Sequence, residues 1–243
     1  MKTAVVTGAA RGLGLAWCRQ LAHNGYQVVL TARKAEQAEA AAASLAAEGL
    51  QVHPYALEVT NEAQWAALAG WIAERFASLD LLVNNAGVNP KDYTDPVKKA
   101  QCFNLDALDA SAMLEVLHIN SLAPLLAVKQ LRPLLGKSNR PLVVNISSWL
   151  GSVSNLAFGG HYGYVGSKNL LNVLNKSMAF ELRNEGIVCI NVNPGWVQTD
   201  MGGSKAPRTA DQAVQELLTH VVDRVSLADT GKFLHYDGTE HPW

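Results

Sequence analysis

Short apolar, often β-branched runs alternate along this chain with longer stretches in which apolar residues recur every three or four positions. The short runs predict strands at Thr3–Val6, Val28–Thr31, Val52–Ala56, Leu81–Val83, Leu142–Ile146, Ile187–Val192 and Lys232–His235. Several are continuously apolar, the pattern of parallel strands covered on both faces. Between them the spacing predicts helices over Leu13–His23, Ala35–Glu48, Asn61–Phe76, Ala110–Leu135, Tyr164–Asn184 and Ala210–Val222. In the third, Trp65, Leu68, Ile72 and Phe76 mark one face, and Thr60 or Asn61 supplies an N-cap. Gly25, Gly49 and Gly186 stand just past helix ends, where a left-handed residue stops a helix.

This alternation predicts an α/β fold: a single Rossmann-type, doubly wound parallel sheet of about seven strands with helices on both faces. No composition break or repeat divides it, so residues 1–243 are expected to form one domain. Asn89–Asn104, Gly151–His161 and Met201–Arg208 read as irregular. All three follow strands and so belong near the carboxyl edge of the sheet, where ligands bind in such folds.

Composition narrows the function classes. Hydrophobic residues make up 49% of the 243 and charged residues 17%, enough for a sizeable core. A net charge of -1 gives no electrostatic reason to expect nucleic acid or an anionic membrane as partner. The uncharged stretch from Pro141 to Ser167 is broken by Asn145, Asn155 and several serines and glycines, unlike a spanning helix. Cys18, Cys102 and Cys189 lie far apart with no metal-type spacing and read as reduced, buried thiols. Met1-Lys2 runs straight into the first strand, so no leader is expected and the location expected is cytoplasmic.

The first strand-to-helix junction reads Thr7-Gly8-Ala9-Ala10-Arg11-Gly12-Leu13-Gly14. Glycines there allow a tight turn and close approach to a pyrophosphate, and the helix N-terminus offers unpaired N–H groups. At the end of the second strand an NAD site usually carries a carboxylate for the ribose hydroxyls. Here Thr31-Ala32-Arg33-Lys34 has none before Glu36. Guanidinium groups pair with a 2′-phosphate that a carboxylate would repel, so Arg33, joined by Arg11, points to NADP(H) over NAD(H).

Tyr164 and Lys168 stand four apart, one helical turn, on the same face. A cation beside a phenol favours the phenolate and makes the Tyr a usable proton donor and acceptor. Ser148 and Asn120 lie upstream.

Together these motifs resemble the short-chain dehydrogenase/reductase family. Thr-Gly-x-x-x-Gly-x-Gly at 7–14, Asn84-Asn85-Ala86-Gly87 at the fourth strand and Asn145-Ile146-Ser147-Ser148 at the fifth are similar to its signatures. Tyr164 follows Ser148 by 16 positions, longer than in the commonest members. That interval, with Ser147–Ser152, Gly159–Lys168, Asn193–Gly203 and the closing Tyr236-Asp237-Gly238, resembles the C-factor/Sniffer-type carbonyl reductases. The resemblance is weakest in Asn89–Asp109.

The resemblance implies Asn120, Ser148, Tyr164 and Lys168 as the catalytic set. It implies cofactor contacts from Gly8, Arg11, Gly12, Leu13, Gly14, Arg33, Glu58, Val59, Asn85, Ala86, Gly87, Tyr164, Lys168, Pro194, Gly195, Val197 and Thr199. Glu58 stands where an Asp is usual, which puts its adenine contact in doubt. Tyr164 is expected to act as general acid, Lys168 to hold its pKa down and bind the nicotinamide ribose, and Asn120 to hold a water of a proton relay. Trp149, His161 and Trp196 are candidate substrate contacts, and Gly202–Gln212 a candidate lid. The activity implied is NADPH-dependent reduction of a ketone or aldehyde, with a homodimer or homotetramer as partner state by analogy. The alternatives are an NAD-dependent alcohol dehydrogenase and a nucleotide-binding signalling protein with little turnover.

Overall fold

The structure, a computed structural model, describes residues 1–243. Its strands are β1 (Thr3–Val6), β2 (Gln27–Ala32), β3 (His53–Ala56), β4 (Leu81–Asn84), β5 (Leu142–Ile146), β6 (Val188–Asn193), β7 (Val197–Gln198), β8 (Arg208–Thr209) and β9 (Phe233–His235). Seven form one sheet in the order β3-β2-β1-β4-β5-β6-β9, every neighbouring pair parallel, while β7 and β8 form a separate short ladder. The helices are α1 (Gly12–His23), α2 (Ala35–Ala47), α3 (Glu62–Arg75), α4 (Pro96–Phe103), α5 (Ala110–Leu117), α6 (Ala123–Leu135), α7 (Tyr162–Leu182) and α8 (Ala210–Leu217).

Successive strand residues point to opposite faces, and both faces are apolar. Val6, Leu30, Val83, Val144 and Ile190 pack with Trp17 and Leu21 of α1 and Val214 and Leu217 of α8. Val5, Val29, Leu82, Val143 and Cys189 pack with Trp65, Leu68 and Ile72 of α3, Leu131 of α6 and Leu182 of α7. Trp65 is fully buried and its Nε1 donates to the Val59 carbonyl at 2.8 Å, so its one polar atom is satisfied. Asn61 caps α3 as expected, accepting from Gln64 N at 3.2 Å. The three cysteines are free and buried.

Four expectations change. The helix over 110–135 is not uniform: a π turn at His118–Leu122 separates α5 from α6. Polar docking accounts for the wider turn, because Asn120 Nδ2 donates to Ser167 Oγ at 2.9 Å and Ser121 Oγ to the Ser167 carbonyl at 2.7 Å. A second π turn, Leu218–Val222, ends the helix begun by α8. α7 starts at Tyr162, two residues early, and Asn89–Asn104, expected to be irregular, holds α4. Asp95 caps α4 by accepting from Val97 N at 2.9 Å, with Pro96 at the first helical position. Ala110–Leu135 is long and apolar enough, by length and composition, to cross a membrane, with mean hydropathy 1.4. Here Val116, Ala127, Leu131 and Leu135 are fully buried in the protein interior, as in a core helix.

One row breaks the apolar pattern. Asn84, Asn145 and Asn191 lie side by side on β4, β5 and β6 and are buried. Asn84 Nδ2 donates to Asn145 Oδ1 at 2.8 Å, and Asn145 Nδ2 to Asn175 Oδ1 of α7 at 2.8 Å. Asn172 Oδ1 of α7 accepts from Asn191 Nδ2 at 2.9 Å and Ser147 Oγ at 2.8 Å, while its Nδ2 donates to the Gly151 carbonyl at 3.1 Å. Buried amides need partners, so the row sets the level at which α7 sits on the sheet.

Candidate active site

The strand order reverses between β1 and β4, and the turns that follow these two strands form one unit. Gly8 has φ +63°, and a Cβ there would lie 2.8 Å from Ala86 Cα; a Cβ on Gly14 would lie 2.5 Å from the Gly8 carbonyl. Only glycine allows this approach. Thr7 Oγ1 accepts from Asn85 N at 2.9 Å and Ala86 N at 3.0 Å, and Asn85 Nδ2 donates to the Thr7 carbonyl at 2.8 Å. No side chain caps the N-terminus of α1, and no acid stands in its first turn. An open glycine turn leading into an uncapped helix start suits a pyrophosphate. Gly12 faces Thr199 across this turn, where a Cβ would lie 3.3 Å from the Thr199 methyl; Leu13 beside it is half-buried.

Arg33 is exposed just beyond β2. Arg11 is instead engaged in an ion pair with Asp200, both side chains exposed, so it does not stand free beside Arg33. Glu58 Oε1 accepts from Thr60 N at 3.3 Å and Thr60 Oγ1 at 3.1 Å, turning its carboxylate into its own loop; Val59 behind it is buried.

The chemical residues converge beyond β4 and β5. Ser148 lies two residues past β5 in extended backbone, its Oγ accepting from Leu150 N at 3.2 Å to start the turn Trp149–Gly151. Tyr164 and Lys168 are buried in the first turns of α7. Lys168 Nζ donates to the Ile146 carbonyl at 2.7 Å and stands 5.7 Å from the Tyr164 ring centroid. A Cβ on Gly87 would fall 3.2 Å from Asn120 Oδ1 and 3.7 Å from Lys168 Nζ, so Gly87, Asn120 and Lys168 meet at one point. Asn120 Oδ1 accepts from Val88 N at 2.8 Å and its Nδ2 donates to the Val88 carbonyl at 2.9 Å. With Ser167 as third partner, this amide clamps the loop after β4 to α7.

Burial governs the protonation of the pair. It pushes the Tyr164 phenol up to about 12, against the pull of the Ser148 hydroxyl, and Lys168 down to about 8. Desolvation dominates both groups, and the Lys168 ammonium is directed at the Ile146 carbonyl.

Downstream of β6, Gly195 has φ +77°, follows Pro194, and donates its N–H to Asn193 Oδ1 at 3.2 Å. Val197 is buried in β7. Gly202 packs so closely that a Cβ would lie 1.8 Å from the Val197 carbonyl, and its N–H donates to Thr199 Oγ1 at 3.0 Å. Trp196 is half exposed with Nε1 donating to the Gly202 carbonyl at 2.7 Å. The β7–β8 ladder and these bonds tie down the start of the expected lid. They also bring Met201, which sequence reasoning missed, to 3.9 Å from the Tyr164 hydroxyl through its sulfur. Trp149 is exposed and meets Phe158 edge-on at 6.4 Å. His161 stacks on Tyr164 with ring centroids 5.3 Å apart.

Comparison with known proteins places this arrangement. The sequence profile described as short chain dehydrogenase matches residues 2–210. The C-signal of Myxococcus xanthus is 36% identical over 165 residues, 68% of this chain and 93% of that protein. Carbonyl reductase Sniffer of Drosophila melanogaster superposes with a TM-score of 0.89 at 30% identity, covering 100% of both chains. An NADPH-bound carbonyl reductase from chicken fatty liver gives 0.87 at 32%, covering 100% of this chain and 99% of that one. With the glycine turn, the Asn-Asn-Ala-Gly turn and the Ser148–Tyr164–Lys168 cluster in one site, the chain belongs to the short-chain dehydrogenase/reductase family, in its C-factor/Sniffer-type branch.

Proposed function

We propose that this protein is an NADPH-dependent reductase of ketone or aldehyde carbonyls, working within one domain of residues 1–243. The observation that carries the proposal is the meeting of Ser148, Tyr164, Lys168 and Asn120 beside the glycine turn that suits a dinucleotide. NADPH, when bound, supplies hydride to the carbonyl carbon. Gly8, Gly12, Leu13 and Gly14 would hold its pyrophosphate, Arg33 its 2′-phosphate, and Asn85–Gly87 with Val59 its adenosine side. Pro194, Gly195, Val197 and Thr199 would hold the carboxamide. NADP-bound structural relatives support the cofactor, as does exposed Arg33 with no neighbouring carboxylate before Glu36.

Negative charge grows on the substrate oxygen as the carbon is reduced. The Ser148 and Tyr164 hydroxyls would hydrogen-bond that oxygen, the stabilisation that lowers such barriers most. Tyr164 then transfers its phenolic proton to the oxygen. With its pKa at about 12 the phenol is protonated at neutral pH, which suits reduction better than alcohol oxidation. Lys168, at about 8, exchanges protons readily near neutrality and is placed to return one to the phenolate. Asn120 would contribute by holding the Gly87–Val88 loop, leaving its relay role to atoms beyond its paired amide.

Trp149, Phe158 and Trp196 expose apolar rings at the mouth, which favours a carbonyl with apolar substituents. A homodimer or homotetramer is supported by exposed Leu114, Leu122, Val173 and Phe180 on the long helices. A signalling role like that suggested by the name of the Myxococcus protein needs no such proton-transfer set.

In the test, a panel of activated ketones is mixed with NADPH or NADH and oxidation of the cofactor is followed at fixed pH. Turnover should be faster with NADPH, and Tyr164→Phe should cut kcat by about 10³-fold or more with the Kd for NADPH nearly unchanged. A Tyr164→Phe protein that turns over normally overturns the assignment.

A further inference from the structure

His161 stands out on its backbone before its side chain is considered. It is the only non-glycine residue with positive φ, at 58° with ψ 31°, and it occupies the N-cap position of α7. Left-handed backbone at a residue with a Cβ is strained, and such strain persists where surrounding contacts fix it. Those contacts are visible. The imidazole lies between two rings, Phe103 of α4 at 4.2 Å and 20° and Tyr164 at 5.3 Å and 14°. Its Nε2 is 2.7 Å from Asn89 Oδ1, an oxygen that already accepts from Lys91 N at 3.1 Å. Because that oxygen only accepts, Nε2 carries the hydrogen of the neutral ring. The His161 N–H is also bonded to the Phe103 carbonyl at 3.2 Å.

We infer that His161 is a positioning residue for the reaction: stacked between Phe103 and Tyr164 and anchored by Asn89, it fixes the plane of the phenol and keeps water from one of its faces. The inference rests on Tyr164 being the proton donor. It gives the 89–109 segment a share in the chemistry, since Asn89 holds one edge of the imidazole and Phe103 one face. The Asn120 clamp on Val88 places Asn89 in turn. The charges around the stack are Lys91 near the imidazole, Asp92 near the phenol, Lys99 over the Phe103 ring at 6.0 Å and Lys168 beside Tyr164. Burial and Lys91 hold the imidazole down to about 4, so the stack is neutral across ordinary working pH.

The stack, not imidazole acid–base chemistry, is what the role requires, and two substitutions separate these. His161→Asn keeps a residue that tolerates left-handed backbone but removes the ring; His161→Phe keeps a ring and removes the titratable nitrogen. Both are measured with NADPH and one ketone for kcat, KM, NADPH Kd and the pH profile of kcat. His161→Asn should lower kcat at least tenfold with NADPH Kd within twofold of wild type. Its alkaline limb should move down by half a pH unit or more, because water admitted to the phenol lowers its pKa. His161→Phe should restore kcat to within threefold and leave the limb in place. Turnover of His161→Asn within twofold of wild type, or equal loss in both variants, or a loss matched by weaker NADPH binding, overturns the inference. Should the phenylalanine variant not fold, the alkaline limb of His161→Asn decides it, an unmoved limb counting against. Tyr164→Phe runs alongside: retained turnover there strikes the function itself, while an inactive Tyr164→Phe beside an intact His161→Asn strikes only the stack.

Discussion

Replacing Lys168 with Met should make the cofactor-free protein more stable at pH 7 while disabling it. Lys168 is buried and its pKa falls from 10.5 to about 8 on folding. At about 1.4 kcal/mol per pH unit, that drop costs about 3 kcal/mol of stability wherever the unfolded lysine is fully charged. Below pH 8 both states hold the proton and the whole cost applies. Between 8 and 10.5 the unfolded chain holds more protons at this site, so stability rises with pH as the cost disappears. Methionine fills similar volume without charge but abandons the bond from Nζ to the Ile146 carbonyl, a loss of about 1 kcal/mol. Lys168→Met should therefore gain about 2 kcal/mol at pH 7, closing to about zero near pH 10. Tyr164 titrates in the opposite sense, its stability contribution falling as pH rises from 10 towards about 12, but it is common to both proteins and cancels. Urea unfolding followed by tryptophan fluorescence at pH 7 and pH 10 measures the difference. A variant less stable than wild type at pH 7, or a difference that ignores pH, would refute the reasoning.

Two further outcomes follow from the cofactor groove. Arg33→Ala should raise KM for NADPH by about 10- to 100-fold, the range of a lost charge-assisted bond, with KM for NADH nearly unchanged; parallel changes for both would show that Arg33 does not hold a 2′-phosphate. Gly202→Ala forces a Cβ into the Val197 carbonyl at 1.8 Å, so the segment must shift. Overpacking of about 1–3 kcal/mol should lower Tm by roughly 2–12 °C and weaken NADPH binding through Val197 and Thr199; an unchanged melting curve would argue against that packing.

The sheet was legible because most of its strands are dominated by apolar residues, and Asn61 and the stop glycines announced helix ends. The glycine turn stood out by its place at the first strand-to-helix junction, whereas the Tyr164–Lys168 spacing, which chance supplies in many helices, carried weight only beside Ser148, Asn120 and that turn. α4 escaped because Lys98, Lys99 and Gln101 leave it no apolar stripe, Cys102 being its one buried residue, although Asp95-Pro96 is a helix start in plain view. The π turn escaped because no local pattern marks it; it depends on Ser167, far away in sequence. Met201 reaches Tyr164, and Phe103 reaches His161, only through tertiary folding, and nothing in their neighbours foretells it. Spacing likewise shows the cation beside the phenol but not the depth at which both are buried.

The asparagine row beneath the site separates two kinds of change over time. Asn172 joins Ser147, Asn191 and the Gly151 carbonyl from below, while Asn145 grips Asn175. The distance between Ser148 and Tyr164 in space is thus set by amides under the floor, not by the length of chain running between them. Within that chain Val153, Leu156 and Phe158 stand in solvent ahead of His161, and their side chains can change without touching those amides. On the proposed mechanism, rings there could vary while Tyr164 keeps its place relative to Ser148.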